Sequence, residues 1–210
     1  METKNDGPKQ EQRLTKKGKE TRARIVAAAA KLMFERGVAG TTVEDVQREA
    51  KVSASQLYHY FQEKRELVHA VILFQTAQVL SAQEPLLSHL DSIDALWSWR
   101  DAIVSLQVER QCRGGCPIGS LASELADSEP VARAELASGF MKWELAIRGG
   151  LIAMHERGQL RGDAEPERLA LALLTALQGG LLLTQVHRET SPLEVVLDAM
   201  LAHIGSFAQS

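Results

Sequence analysis

The stretch that decides the fold of this chain spans residues 42–64 and reads TVEDVQREAKVSASQLYHYFQEK. Thr42 is followed three residues later by Asp45, and Ser53 is followed three residues later by Gln56. Both spacings fit a capping box, in which two side chains satisfy free backbone N–H groups at the start of a helix. The stretch therefore predicts two short helices joined by a tight turn.

The second of these helices presents two different faces. Leu57 and Phe61 lie four residues apart on one side, where they can face a core. The other side carries Ala54, Ser55, Tyr58 and His59. Two helices in this order are typical of a helix-turn-helix, whose second helix lies in the major groove of DNA. The alternative, that the aromatic residues are half-buried and Gln56 is only a cap, stays open on this pattern alone.

The charge of the chain is unevenly distributed along its length. The 210 residues carry 24 Lys and Arg against 27 Asp and Glu, a net charge of −3. Residues 1–69 hold 14 of the basic and 10 of the acidic residues, so this part is basic and the remainder is acidic. A basic module suits a phosphate backbone, because cationic side chains release the counterions condensed on DNA. A merely solvated surface would carry part of the same excess.

A longer pattern surrounds the opening stretch. It consists of F-x-x-x-G, then G-x-x-x-T-[TS]-[VI], then V-S-x-x-x-[LI]-[YF]-x-[YH]-F, then K-x-x-L. The chain supplies Phe34, Gly37, Thr42, Val43, Val52, Ser53, Leu57, Tyr58, Tyr60, Phe61, Lys64 and Leu67. In this respect residues 19–69 resemble the DNA-binding domain of the tetracycline-repressor (TetR) family of bacterial regulators. The resemblance implies an all-α fold, with an N-terminal three-helix helix-turn-helix domain and a C-terminal helical domain that binds an effector and dimerises.

The resemblance also implies which residues contact double-stranded DNA at a palindromic operator. Phosphate contacts are implied for Thr42 and Lys64, and phosphate or base-edge contacts for Tyr58 and His59. The groove floor would be met by Ser53, Ala54, Ser55 and Gln56. The chain departs from the family at Lys51, where Gly is usual, at Ala54 and Ser55, and at Glu63, where a Ser usually caps the next helix. Because of these departures, the operator sequence of a relative cannot be transferred to this chain.

The sequence predicts three parts: a flexible tail at residues 1–18, a helix-turn-helix domain at 19–66, and an effector-binding and dimerisation domain at 67–210. The tail is polar and charged and has too little apolar content to fold alone. It is either a solvated end or an arm that reaches DNA through Lys16, Lys17 and Lys19. It has no apolar core of the signal-peptide type, so we expect a cytoplasmic protein.

The C-terminal part reads as helices throughout. Candidate spans are 64–81, 84–90, 92–111, 117–126, 129–157, 165–188 and 191–208. Residues 169–183, LALALLTALQGGLLL, are too short for a comfortable membrane span and indicate a helix buried on several sides. The family resemblance implies that the last two long helices form a four-helix bundle across the two-fold axis of a homodimer. Gly179 and Gly180 would allow close helix approach there, or they mark a kink.

Cys112 and Cys116 flank two glycines in the segment CRGGCPIG. Three interpretations stay open: a metal site, which would need more ligands; a redox switch, with a thiol pKa lowered by Arg110 and Arg113 at a helix start; and a structural loop with small buried thiols. No histidine pair stands beside the cysteines, so we expect no metal. Residues 115–127 resemble the ligand domain of the drug- and flavonoid-responsive repressors within the family.

We expect the body to enclose a largely apolar pocket for a small-molecule effector. The predicted lining is Trp97, Trp99, Cys116, Phe140, Trp143, Ile147, Leu177, Gln178 and Leu181, although each Trp could be plain core. Gln178 is an amide in an apolar helix and needs a partner, which is either the effector or a neighbour. The chain lacks G-x-S-x-G, P-loop, H-E-x-x-H and G-x-G-x-x-G motifs, so neither an enzyme nor a cofactor is predicted.

Overall fold

The computed structural model describes residues 15–209, and within them the chain forms nine α-helices and one short 3-10 helix. The helices of the N-terminal module are α1 (Lys16–Arg36), α2 (Val43–Ala50) and α3 (Ala54–Tyr60). The body contains α4 (Lys64–Ser81), the 3-10 helix (Leu86–His89), α5 (Ile93–Glu109), α6 (Pro117–Leu125), α7 (Pro130–Glu156), α8 (Pro166–His187) and α9 (Ser191–Gly205). The all-α prediction is confirmed, and the segment at 84–90 is a 3-10 turn instead of a regular helix.

Helix α1 begins earlier than the sequence indicates. The predicted tail ends at residue 18, but α1 starts at Lys16, because the Thr15 hydroxyl accepts the Gly18 N–H at 3.2 Å and caps the first turn. Lys16, Lys17 and Lys19 therefore extend from a helix and not from a flexible arm. The remainder of the predicted tail, residues 1–14, lies outside the described residues.

The N-terminal module is built around a small apolar core. Ile25, Val46, Leu57 and Phe61 are each at most 2% exposed, and α1 packs against both α2 and α4. These are the positions that the helical periodicity assigns to the interior. Since Leu57 and Phe61 anchor α3 on this core, its opposite face is held outward.

The body packs six α-helices around a second core. Helix α8 lies against α7 and α9, and α4 packs against α1, α6 and α7, so that α4 belongs to both modules. Trp99, Trp143, Ile147 and Leu177 are among the most deeply buried side chains of the body. Helix α4 therefore joins α1 to the helices of the body.

Helix α8 is the one helix within residues 15–209 that is long and apolar enough to cross a membrane, and 44% of its most apolar stretch is buried within the chain. Gly180 faces α9, where a Cβ atom would lie 2.9 Å from the side chains of Leu193 and Val196. Gly179 faces outward with no atom near its missing side chain. Gly180 thus permits close packing within the chain, and neither glycine interrupts the helix.

Candidate DNA-binding surface and effector pocket

The start of α2 forms the capping box that the sequence predicts. The Thr42 hydroxyl accepts the Asp45 N–H at 3.1 Å, and the Asp45 carboxylate accepts both the Thr42 N–H and the Thr42 hydroxyl. The Thr42 hydroxyl and then its backbone N–H hold the pKa of the Asp45 carboxyl below its ordinary value. Thr42 is exposed, and both its N–H and its hydroxyl donate to the Asp45 carboxylate within the protein.

The turn between α2 and α3 depends on a left-handed residue. Lys51 has φ 52° and ψ 51°, and its N–H donates to the carbonyls at the end of α2. This conformation favours glycine and costs other residues energy. The sequence comparison with the family correctly singled out this position. Lys51 is exposed, which also places its ammonium group beside the two helices as a candidate phosphate contact that the sequence analysis missed.

Helix α3 presents its first turn to solvent. A second capping box joins Ser53 and Gln56: the Ser53 hydroxyl accepts the Gln56 N–H at 3.2 Å, and Gln56 Oε1 accepts the Ser53 N–H at 3.0 Å. The exposed residues of this face are Ser53, Ala54, Ser55, Gln56, Tyr58 and His59. The aromatic residues at 58 and 59 are therefore not buried, in contrast to the alternative considered from the sequence. Gln56 Oε1 is engaged in the cap, and Gln56 Nε2 has no hydrogen-bond partner within residues 15–209.

Lys64 has a partner within the protein. Its Nζ donates to the Val38 carbonyl at 2.6 Å, and the side chain is half-buried. The ammonium group has three donors, so this bond leaves capacity for a phosphate. Glu63, which precedes Lys64, provides no side-chain cap for α4, as its departure from the family pattern indicates.

Three basic side chains of this module have partners within the protein. Arg24 Nε donates to the Ala50 carbonyl, Lys31 pairs with Glu49, and Arg48 pairs with Asp45. The two ion pairs leave the net charge of the module unchanged, because their acidic partners are already counted in it. Lys51 and Arg65 are exposed and have no ion-pair partner within residues 15–209.

A cavity of about 150 Å³ lies in the body between α4, α5, α6, α7 and α8. Three of the predicted pocket residues line it, namely Cys116, Trp143 and Leu181. Trp97, Phe140, Ile147, Leu177 and Gln178 are not among its lining residues, and Trp99 lines a different groove. Ile147 and Leu177 are fully buried because their helix faces point into the core.

Most of the cavity wall consists of residues that the sequence analysis missed. They include Gln75, Gln78 and Val79 from α4, and Ile103, Leu106 and Gln107 from α5. One signal was available for Gln107, which is a single amide within the apolar run IVSLQV. This is the argument that selected Gln178, whose side chain lies behind the cavity wall near Gly119 and Cys116.

The loop between α5 and α6 contains both cysteines, and neither forms a disulfide. The Cys116 thiol caps α6 by accepting the Gly119 N–H at 3.4 Å. Burial raises the pKa of the Cys116 thiol. This is opposite to the lowered thiol pKa on which the redox-switch interpretation, one of the three left open by the sequence, was based. Within residues 15–209, no three metal-ligating side chains converge.

Two contacts connect the cavity wall to the helix-turn-helix module. Gly114 (φ 87°) packs under Phe34 of α1, where a Cβ atom would lie 2.1 Å from the ring. At the far end of α6, Glu124 Oε2 accepts the Val38 N–H at 2.8 Å. Val38 is therefore held through its N–H by Glu124 and through its carbonyl by Lys64. Both contacts join elements that line the cavity to elements that position α2 and α3.

The chain matches two protein-family models. Residues 25–71 match the bacterial regulatory proteins of the tetR family, and residues 92–200 match the tetracyclin repressor-like C-terminal domain. The second match alone covers more than half of the chain.

Similar proteins cover nearly the same length. The chain is 27% identical over 186 residues to the HTH-type transcriptional repressor DhaR of Mycobacterium sp. (strain GP1), covering 86% of this chain and 92% of DhaR. It is 30% identical over 185 residues to an HTH-type transcriptional regulator from the lacX 3′ region of Lactococcus lactis subsp. lactis, covering 86% and 91%. A solved TetR transcriptional regulator from Chloroflexus aurantiacus J-10-FL superposes with a TM-score of 0.80 at 28% identity, covering 92% of this chain and 98% of that one.

Proposed function

The chain belongs to the TetR family of bacterial transcriptional regulators, and on that premise we propose that it is a cytoplasmic, homodimeric repressor that leaves its operator when a small, largely apolar effector binds. Members of this family are DNA-binding regulators and not enzymes. The single observation that carries the proposal is the outward face of α3, whose polar and aromatic residues are exposed while Leu57 and Phe61 anchor it.

The exposed face of α3 and its flanks support two kinds of DNA contact, one to base edges and one to phosphates. Ser55, Gln56 and His59 present hydroxyl, amide and imidazole groups that suit base edges. Thr42, Tyr58 and Lys51 lie toward the flanks and suit phosphates, which fix the register of the helix on the duplex. Lys64 retains two N–H donors for a phosphate while it holds Val38.

The outer face of α8 supports the homodimer. Leu171, Leu182 and Val186 are each more than half exposed, and they lie on the same side of the helix as Gly179. Val195 is a further exposed apolar residue, at 66% exposure, on α9, which packs against α8. A second copy related by a two-fold axis would bury the surface and hold two α3 helices at the spacing of successive half-sites.

The contacts around the cavity support a route for release. Helix α4 lines the cavity with Gln75 and Gln78 and carries Lys64 at its first residue, and α6 runs from the cavity wall to Glu124. An effector that binds an expanded cavity more tightly than the present one would displace α4 and α6 together. The effector shifts the population toward the form that does not bind DNA, and the size of this shift is set by the difference in its affinity for the two forms. The resemblance of residues 115–127 to drug- and flavonoid-responsive repressors agrees with an apolar effector.

The test is a fluorescence-anisotropy titration of the purified protein with the DNA upstream of its own gene. We expect saturable binding that weakens steeply with salt, because phosphate contacts release counterions. Tyr58→Ala should weaken binding to this DNA at least tenfold. The matched control is Val108→Ala, which trims an exposed side chain of the body and should leave binding unchanged.

Specific binding that tolerates Tyr58→Ala together with Gln56→Ala would contradict the assignment of the α3 face. Failure to prefer any promoter fragment over random DNA would contradict the function itself. Both outcomes are independent of the effector, since neither measurement includes one.

A further inference from the structure

The cavity wall contains two buried polar atoms that the fold leaves without a partner. Gln107 is 3% exposed and Trp143 is 2% exposed, yet neither Gln107 Oε1 nor Trp143 Nε1 has a hydrogen-bond partner within residues 15–209. Both residues line the cavity. Buried polar groups of folded proteins are nearly always hydrogen-bonded, so an unpaired acceptor and an unpaired donor around one cavity point to a ligand that supplies both partners.

A neighbouring indole and amide form a hydrogen-bonded pair within the fold. Trp99 Nε1 donates to Gln83 Oε1 at 2.9 Å, and Gln83 Nε2 donates to the Val79 carbonyl at 2.7 Å. The indole and the amide of this pair are thus satisfied by each other, although Gln83 also lines the cavity. Of the six buried unpaired polar side-chain atoms within residues 15–209, Gln107 Oε1 and Trp143 Nε1 are the two whose residues line the cavity.

The volume of the cavity limits the size of the ligand. An apolar cavity of about 150 Å³ in a protein core binds benzene, and the volume here is about 150 Å³. Val79, Ile103, Leu106 and Leu181 provide an apolar surround. The cavity as it stands therefore fits a molecule of about one ring.

The charge of the lining limits the ligand further. Neither Asp nor Glu occurs among the lining residues, so a buried cation would lack a counter-charge. Arg110 is the one charged residue of the lining, and it is exposed. It also lines the adjoining groove beside Phe34, which places it at the mouth and not at the unpaired groups.

From these observations we infer that the cavity binds a small uncharged molecule, about the size of a single ring, which accepts a hydrogen bond from Trp143 Nε1 and donates one to Gln107 Oε1. Aromatic amides, lactams and phenols have this chemistry. The inference rests on the proposed function only in calling the molecule an effector, because binding itself requires no DNA.

Isothermal titration calorimetry of the full chain with four single-ring probes tests this inference. Benzamide offers a carbonyl acceptor and an N–H donor, toluene offers neither, benzoate adds a negative charge and benzylammonium a positive one. We expect benzamide to bind at least tenfold more tightly than each of the other three. Gln107→Leu should weaken the affinity for benzamide about tenfold and leave the affinity for toluene unchanged. Gln62→Leu, the same substitution at an exposed amide outside the cavity, should change neither.

Equal affinities for benzamide and toluene, tightest binding of benzoate, or no binding of any probe at millimolar concentration would each overturn the inference. Circular dichroism establishes that the variants fold. If Gln107→Leu does not fold, Trp143→Phe removes the indole donor instead, and the preference for benzamide over toluene should then shrink in the same way. Release of promoter DNA is measured separately: a probe that binds with the expected preference but releases no DNA contradicts the proposed function and leaves the ligand class intact.

Discussion

Replacing Glu124 by alanine should loosen the link between the cavity and the helix-turn-helix module. The Glu124 carboxylate accepts the Val38 N–H at 2.8 Å. A hydrogen bond to a charged group contributes about 1.5–3 kcal/mol to stability. Val38 is buried, but Glu124 itself is exposed. Solvent screening therefore reduces the expected contribution to about 1 kcal/mol.

This free energy converts directly into a change of local opening. About 1 kcal/mol corresponds to roughly a fivefold change in an equilibrium constant. We expect amide hydrogen exchange of residues 37–42 in Glu124→Ala to become about fivefold faster. Glu124→Gln retains a side-chain oxygen and should show a smaller change. Amide hydrogen exchange in α8 should be unaffected, because no residue of α8 is hydrogen-bonded to Val38 or Glu124.

The matched control is Asp127→Ala, which removes an exposed carboxylate two residues beyond the end of α6. Unchanged exchange of residues 37–42 in Glu124→Ala would refute the reasoning, since the bond would then contribute no free energy. With a compound that releases DNA, the ratio of operator affinities without and with that compound should also fall about fivefold in Glu124→Ala. Faster amide exchange together with an unchanged ratio of operator affinities would show that the Glu124–Val38 contact stabilises the fold but does not take part in the release of DNA.

Three further outcomes follow from the surface of the protein. Leu182→Glu places a charge at a position of α8 that is 60% exposed, and light scattering should show a monomer. The control Leu73→Glu, at a position of α4 that is 57% exposed, should remain dimeric. A dimeric Leu182→Glu protein would show that this face of α8 is not the dimer interface. Lys51→Gly should stabilise the protein by about 0.5–1 kcal/mol in thermal melts, because glycine adopts the left-handed conformation without strain. Lys51→Gly and Lys51→Gln both remove the positive charge, so in salt titrations both should weaken DNA binding and reduce its salt dependence. Asp45→Asn should lower the melting temperature at neutral pH. Because the Thr42 contacts depress the pKa of the folded carboxyl, the difference should begin to shrink below pH 3.8, the ordinary value, and disappear as the pH falls through the lower pKa of the folded state. A difference of constant size throughout this range would contradict the assignment.

The local features of the chain were readable from the sequence. The two capping boxes at Thr42 and Ser53 depend on residues three positions apart, so their signals survive without knowledge of the fold. The helix spans of the body were predicted to within a few residues for the same reason. The anchoring of α3 by Leu57 and Phe61 followed from their spacing on one helix. The family pattern extended these local signals to the fold class.

The residues around the cavity were predicted less well. Trp97, Phe140 and Ile147 were selected as large apolar residues on the middle helices, but size and hydrophobicity do not distinguish a core position from a cavity wall. The glutamines of α4 and α5 gained their significance only because those helices face each other across the cavity. Which of several buried amides lacks a partner depends on every neighbour at once, as the contrast between Gln83 and Gln107 shows.

The sequence by itself thus determined the helices, the capping boxes of α2 and α3, the outward face of α3 and the family, because each depends on spacing along the chain. The tertiary structure alone decided how the cavity is connected to that face. Val38 and Glu124 are separated by 86 positions, and Phe34 packs on Gly114, which lies beyond α4 and α5 in the chain. Such contacts join elements that are distant in the chain, and no local propensity specifies which pairs will meet once the two cores have formed.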